Sequence, residues 1–217
     1  GTCSKSQDGR VPHGIVTCCG ECPVLGCPPL HGRGAMVTRT SLTTPLGDEV
    51  LSLHAGDQVL LSGIVYTARD EAHLMMKESG IPFDPVGAAI YHCGPVIQDA
   101  RILAAGPTTS ARLNALTGFL LERGVRALIG KGGMGAEVAR ALVGRGVYLS
   151  CTGGCAVLAA SKMSLKGVYF EELGMAEAIW IIELDSLPLV VGIDSHGNDL
   201  FADIALRANK QFHRTFT

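Results

Sequence analysis

From about residue 37 onward, short apolar runs alternate with stretches of helical period, and glycine, proline or hydroxyl residues mark the joints. After the turn Ala55-Gly56-Asp57, residues 58–66 form a Val/Leu/Ile-rich run that predicts a strand. Thr67-Ala68-Arg69-Asp70 has capping-box spacing and predicts a helix start; Gly80 and Pro82 predict its end. Residues 88–92 and 101–105 predict further strands, the second leading into Gly106-Pro107-Thr108-Thr109-Ser110 and a helix to about Arg123. The unit then repeats, with strand 125–129, glycine-rich loop 130–135, helix 136–145, strand 147–150, and a short apolar helix after Thr152-Gly153-Gly154. Residues 178–184 and 187–193 add β structure before a final helix ending near Phe212. This alternation predicts an α/β domain with a mixed sheet, and sites in such sheets lie past the carboxyl ends of the strands.

Residues 1–36 carry clustered Gly, Pro and Cys without either period, and are read as a loose segment outside a single domain spanning 37–217. Apolar residues make up 47% of the chain and charged ones only 18%, against about 25% charged in a typical domain, which leaves apolar surface for a partner. No apolar run reaches the roughly 18 residues of a membrane span, so no membrane association is expected. A net charge of −2 and 5% aromatic content supply neither a basic footprint nor a stacking platform, which argues against nucleic acid. Five of the eight cysteines fall in the first 27 residues; with no secretory signal ahead of them, they are expected to be free thiols of a cytoplasmic protein.

Three cations share one kind of position, just after a predicted strand and just before a predicted helix: Arg69, Arg112 and Lys131. Brought together with helix N-termini they would form an anion pocket, because Arg grips a carboxylate through two parallel hydrogen bonds and Lys adds a point charge. A small dicarboxylate suits this set, and a phosphate nearly as well; any one cation alone reads first as a solvated loop residue, and the shared placement of all three argues against that. Thr108 and Thr109 precede a helix, so one is expected to cap it, leaving a second hydroxyl for substrate binding or proton transfer. Gly130-Lys131-Gly132-Gly133-Met134-Gly135 matches the dinucleotide-binding string, but no acidic residue occurs between Val138 and Val168, where the ribose partner is expected. Cys18, Cys19, Cys22 and Cys27 could ligate a metal but lack a second paired knuckle, and Cys151 and Cys155 read as packing thiols. Asp194, His196 and Asn198 share a turn-like hexapeptide and are second-rank site candidates.

Taken in order, Ala55-Gly56-Asp57, Tyr66-Thr67-Ala68-Arg69-Asp70, Gly106-Pro107-Thr108-Thr109-Ser110-Ala111-Arg112, Gly130-Lys131-Gly132-Gly133-Met134, Glu171-Glu172-Leu173-Gly174 and His196-Gly197-Asn198 resemble the beta chain of the class I iron–sulfur fumarase and L-tartrate dehydratase family. The resemblance runs from about Val37 to the C-terminus. It implies a swivelling β/β/α domain, equivalent to the C-terminal domain of single-chain members. It also implies an alpha subunit carrying a [4Fe–4S] cluster on three cysteines, in a hetero-oligomer with two copies of each chain. The implied reaction is reversible hydration of fumarate to L-malate, or dehydration of L-tartrate. By the same resemblance Arg69, Arg112 and Lys131 bind substrate carboxylates, and Thr108, Thr109 and Lys131 are the catalytic group, one threonine moving a proton. The competing expectations are a nucleotide- or anion-binding domain and a non-catalytic assembly domain.

Overall fold

A computed structural model describes residues 39–216. The segment 1–36, with Cys18, Cys19, Cys22 and Cys27, lies outside the described residues. The elements run β1 (Arg39–Thr43), β2 (Gln58–Thr67), α1 (Asp70–Ser79), β3 (Ala89–Tyr91), β4 (Val96–Gln98), β5 (Arg101–Ala104), α2 (Asn114–Glu122), β6 (Ala127–Gly130), α3 (Ala136–Leu142), β7 (Val147–Ser150), α4 (Ala156–Ala160), β8 (Met163–Tyr169), β9 (Ile179–Ile193) and α5 (Leu200–Phe216). No described helix is long and apolar enough to cross a membrane.

Strands β2, β3, β6 and β7 pair in parallel in that order. β9 lies antiparallel to both β7 and β2 and closes the sheet on itself. β1 extends it beside β2, and β8 beside β9. The period of two sorts the strand residues into two layers. Val59, Leu61, Val65, Ala89, Tyr91, Ala127, Ile129, Val147, Leu149 and the β9 residues Ile182, Leu184, Leu187, Leu189 and Val191 share one cluster inside the closed sheet. Their neighbours Ile90, Leu128, Tyr148 and Ile193 face out, against Ala72 and Met76 of α1, Leu120 and Leu121 of α2, and Val138 and Leu142 of α3. Each fully buried Leu, Ile or Val contributes about 1.5–3 kcal/mol, so the two layers fix which way each strand end points.

The structure corrects several local readings. Thr67 is not a helix cap: it ends β2, and its hydroxyl donates to the Ala178 carbonyl (3.3 Å) and accepts from the Trp180 amide (2.9 Å). Arg69 takes the N-cap position of α1 without a side-chain cap; pairing of β2 with β9 has claimed the threonine that local spacing offered to the helix. Residues 101–104 do not join the main sheet but pair with β4 in a two-stranded hairpin, through a turn at Asp99 and Ala100 with φ of 50° and 57°. Residues 178–184 and 187–193 belong to one strand, β9, and β8 is an additional strand. α3 stops at Leu142, and α5 continues past Phe212 to Phe216.

Two glycines test the packing. A Cβ on Gly146 would run into the Arg126 carbonyl, which accepts the Val147 amide at the start of the β6–β7 ladder. Gly146→Ala is expected to cost about 2–3 kcal/mol, while Gly118→Ala in α2, whose Cβ meets nothing within 4 Å, should gain up to about 1 kcal/mol. Urea unfolding of the two variants checks this; equal effects would contradict the packing described.

Candidate active site

At the carboxyl ends of the parallel strands the chain makes an unusual connection. Beyond Tyr91 and Gly130, β3 and β6 separate, and residues 108–110 wedge between their extensions. The Thr108 amide donates to the His92 carbonyl (2.7 Å), the Lys131 amide to the Thr108 carbonyl (3.1 Å), and the Ser110 amide to the Lys131 carbonyl (3.1 Å). Thr109 and Lys131 form a parallel bridge. Thr108 is thereby half-buried, Thr109 and Lys131 exposed, and Ser110 fully buried. Thr109 occupies the cap position of the 3-10 turn Ser110–Leu113, yet its hydroxyl makes no cap bond. Among the described residues, the side chains of Thr108, Thr109 and Lys131 have no hydrogen-bond partner.

The two arginines are drawn to the same end. Arg69 leads from β2 into α1, packs against Gly94, and pairs with Glu177 at 3.4 Å. Arg112 pairs with Asp70, the first residue of α1, at 2.6 Å. Its side chain is 52% exposed, so this pair is worth at most about 1 kcal/mol; it orients the guanidinium while leaving further donors for a ligand. Arg69, Arg112, Lys131, Thr108 and Thr109 thus stand around one sheet end, with Glu177 and Asp70 beside the two arginines. A surface recess of about 520 Å³ along β2 and β9, lined by Arg39, Gln58 and Lys162, brings none of these residues together.

Beneath them lies a polar layer that sequence reasoning missed. His92 Nδ1 is 2.8 Å from Ser110 Oγ, Ser110 Oγ is 3.1 Å from the Tyr148 hydroxyl, and that hydroxyl donates to the Gly132 carbonyl (2.7 Å). Gly130 makes this possible, because a Cβ there would overlap Ser110 Oγ. His73 on α1 bonds the Arg69 carbonyl through Nδ1 (2.7 Å) and stands edge-on to His92. Burial pushes the His92 pKa well below the ordinary imidazole value, with neighbouring His73 adding to the shift. Burial also lowers His73, against the opposing pull of the Arg69 carbonyl and Asp70. His92 and Tyr148 were legible only as strand residues; a polar side chain at an otherwise apolar strand position was the one available signal.

Asp194, His196 and Asn198 lie at the opposite end of the sheet, where β9 finishes beside the start of β7. Asp194 is a clasp: its carboxylate accepts from the amides of Ala55 (3.0 Å), His196 (2.9 Å) and Asn198 (2.9 Å) and from the Asn198 side chain (2.8 Å). Burial works against its charge, but these donors hold its pKa below the usual carboxylate value. The His196 ring stacks on His54 at 4.9 Å. Cys151 and Cys155 are free thiols with sulfurs 3.8 Å apart, and burial pushes Cys151 up to about 12. Among the described residues, no three His, Cys, Asp or Glu side chains are grouped to hold a metal ion.

Fold and site together define an α/β domain that gathers cations and hydroxyls at the carboxyl ends of its parallel strands. Residues 30–204 match the family described as the fumarase C-terminus, and the chain belongs to that family. It is 42% identical over 170 residues to a Methanocaldococcus jannaschii protein with the provisional name L(+)-tartrate dehydratase subunit beta, a match covering 72% of this chain and 87% of that one. It is 35% identical over 173 residues to the L(+)-tartrate dehydratase subunit beta of Escherichia coli K12, covering 75% of this chain and 86% of that one. A Geobacillus stearothermophilus protein provisionally named fumarate hydratase class I is 40% identical over 173 residues; the match covers 76% of this chain and 34% of that longer protein.

The two buried histidines predict a pH dependence. Their native pKa values lie below the unfolded value of about 6.5, so stability is complete above that pH. As pH falls below it, the unfolded chain takes up protons the native state refuses, at up to about 1.4 kcal/mol per pH unit for each imidazole. Urea unfolding of the full chain between pH 7.5 and 5.5 should show this loss, and His73→Gln should reduce the slope. A flat profile in the parent would contradict neutral, buried imidazoles.

Proposed function

We propose that this chain is the beta-type component of a cytoplasmic hydro-lyase and supplies the carboxylate-binding half of a shared site, with reversible hydration of fumarate to L-malate as its reaction. The observation that carries this reading is the gathering of Arg69, Arg112 and Lys131 around the unpartnered Thr108 and Thr109 hydroxyls. Arg112 presents a planar fork to one carboxylate, Arg69 meets the other, and Lys131 adds a mobile point charge. A proton alpha to a carboxylate is weakly acidic, so fixed cations lower the barrier by stabilising the negative charge that develops as it leaves. We assign the passing of that proton to Thr109, which is bridged to Lys131 and faces solvent, and the floor of the site to Thr108. Dehydration of L-tartrate is the second reading, favoured by the names of two of the relatives above.

The described residues do not suit an iron–sulfur cluster, since no set of three ligating side chains is grouped among them. We assign a [4Fe–4S] cluster to an alpha subunit, with two copies of each chain in the complex. The open face around Lys131 and Thr109 supports a second subunit completing the site, and the free thiols of Cys93, Cys151 and Cys155 are in line with a cytoplasmic setting. A nucleotide reading is disfavoured at the loop that suggested it. The Gly135 amide at the start of α3 already donates to Asn114 Oδ1 (2.9 Å), and a Cβ on Gly135 would meet the Glu137 carboxylate, so a phosphate would face a like charge.

With the alpha subunit present under anaerobic conditions, Arg112→Ala and Lys131→Ala should each lower kcat/KM for malate by roughly a hundredfold or more, read from fumarate absorbance. Thr109→Val should act mainly on kcat. Unchanged turnover in all three variants would leave only an assembly domain. A wild-type complex that turns over tartrate but not malate would select the second reading.

A further inference from the structure

Three buried polar atoms among the described residues have no hydrogen-bond partner: Arg69 Nε, His73 Nε2 and His92 Nε2. They belong to one place. His73 lies one helical turn from Arg69 and bonds its carbonyl, and the His73 and His92 rings stand edge to face with centroids 5.6 Å apart. Buried polar groups are nearly always paired, with protein or with ordered water, so three orphans on neighbouring residues point to a shared ligand.

Proton counting says which ligand. A carbonyl oxygen only accepts, so His73 Nδ1 carries the proton that faces the Arg69 carbonyl, and its Nε2 is a lone pair. Likewise Tyr148 must spend its single proton on the Gly132 carbonyl. The contact between Tyr148 and Ser110 is then filled only if Ser110 donates, which leaves Ser110 with no proton for His92. The 2.8 Å contact therefore requires a proton on His92 Nδ1, and its Nε2 is also a lone pair. Burial, which lowers both histidines' pKa values, keeps these rings neutral. The spot thus offers two acceptors and one donor, the Arg69 Nε–H. A metal ion would meet the guanidinium charge, whereas water has two protons to give and lone pairs to accept.

We propose that one buried water sits here, donating to His73 Nε2 and His92 Nε2 and accepting from Arg69 Nε–H. It completes a hydrogen-bonded chain from Gly132, beside Lys131, through Tyr148, Ser110 and His92 to Arg69. The chain thereby ends at Arg69, one of the cations around the site. His92 and Tyr148 are positioning residues for Arg69, a role that rests on the carboxylate-binding reading of the site.

The test has two arms. In long-range proton–nitrogen NMR spectra of the nitrogen-15-labelled full chain, His73 and His92 should both be neutral Nδ1–H tautomers. In Tyr148→Phe, Ser110 loses its acceptor and should turn its proton to His92, switching that ring to the Nε2–H tautomer. An Nε2–H form of either ring in the parent, or no switch in Tyr148→Phe, would overturn the proton chain and the water with it. In the assembled complex, His92→Leu should raise KM for malate about tenfold with kcat within about twofold, the scale of one lost hydrogen bond to a charged group. His92→Gln, whose amide oxygen can stand in the Nε2 position, should restore most of the loss. Should His92→Leu fail to fold, Tyr148→Phe serves, with a smaller rise in KM. A KM unmoved in a folded variant that turns over would overturn the positioning role. A parent complex inactive on dicarboxylates would instead remove the carboxylate-binding reading and with it that role, leaving the water to be decided by the spectra.

Discussion

The wedge of residues 108–110 between the ends of β3 and β6 is the constraint on which the rest of the site depends. Where the two strands part, the His92 carbonyl and the amide and carbonyl of Lys131 would be left bare, and buried backbone groups cannot stay so. Three backbone bonds satisfy them. Strand-like alternation then dictates that Ser110 points inward and Thr109 outward with Lys131. The inward serine must share space with β6, which is why residue 130 carries no Cβ. One backbone detail therefore places the hydroxyl pair, the lysine and the buried histidine together.

The closed sheet makes this detail rigid. Because β9 pairs with β2 along most of its length and with β7 at its far end, the parallel strands cannot fan apart. The layers inside and outside the sheet each fix a side-chain direction. α1 is held against the outer layer by Ala72 and Met76, and its first turn brings Arg69, Asp70 and His73 to the strand ends. Charge is arranged with similar economy. Asp70 and Glu177 orient the arginines from the side, and no described acid pairs with Lys131.

How much of this could be read from sequence depended on the range of the interaction. Arg69 and Lys131 were legible because each closely follows a strand of the parallel sheet, whereas Arg112 reaches the same end through the wedge of residues 108–110, since β5 lies outside that sheet. Thr67 misled because its hydroxyl partners sit 111 and 113 residues away on the β9 side, and local spacing cannot register such a competitor. His92, Ser110 and Tyr148 are 18 and 38 residues apart along their hydrogen-bonded chain; nothing in period or turn chemistry joins them. β4 was hidden because its hairpin turns through Asp99-Ala100 rather than a glycine pair. The Asp194 hexapeptide was legible as a turn, but not as one at the opposite end of the sheet, since that depends on the antiparallel run of β9.

The account stands or falls on where a substrate carboxylate rests. A crystal structure of the complex of this chain with the proposed alpha subunit, grown anaerobically with bound malate, measures that directly. The account predicts carboxylate oxygens within hydrogen-bond distance of Arg112 and Lys131, with Thr109 beside the carbon that loses its proton. Malate held with both carboxylates on the partner, and the Arg112–Asp70 pair facing open solvent, would contradict it.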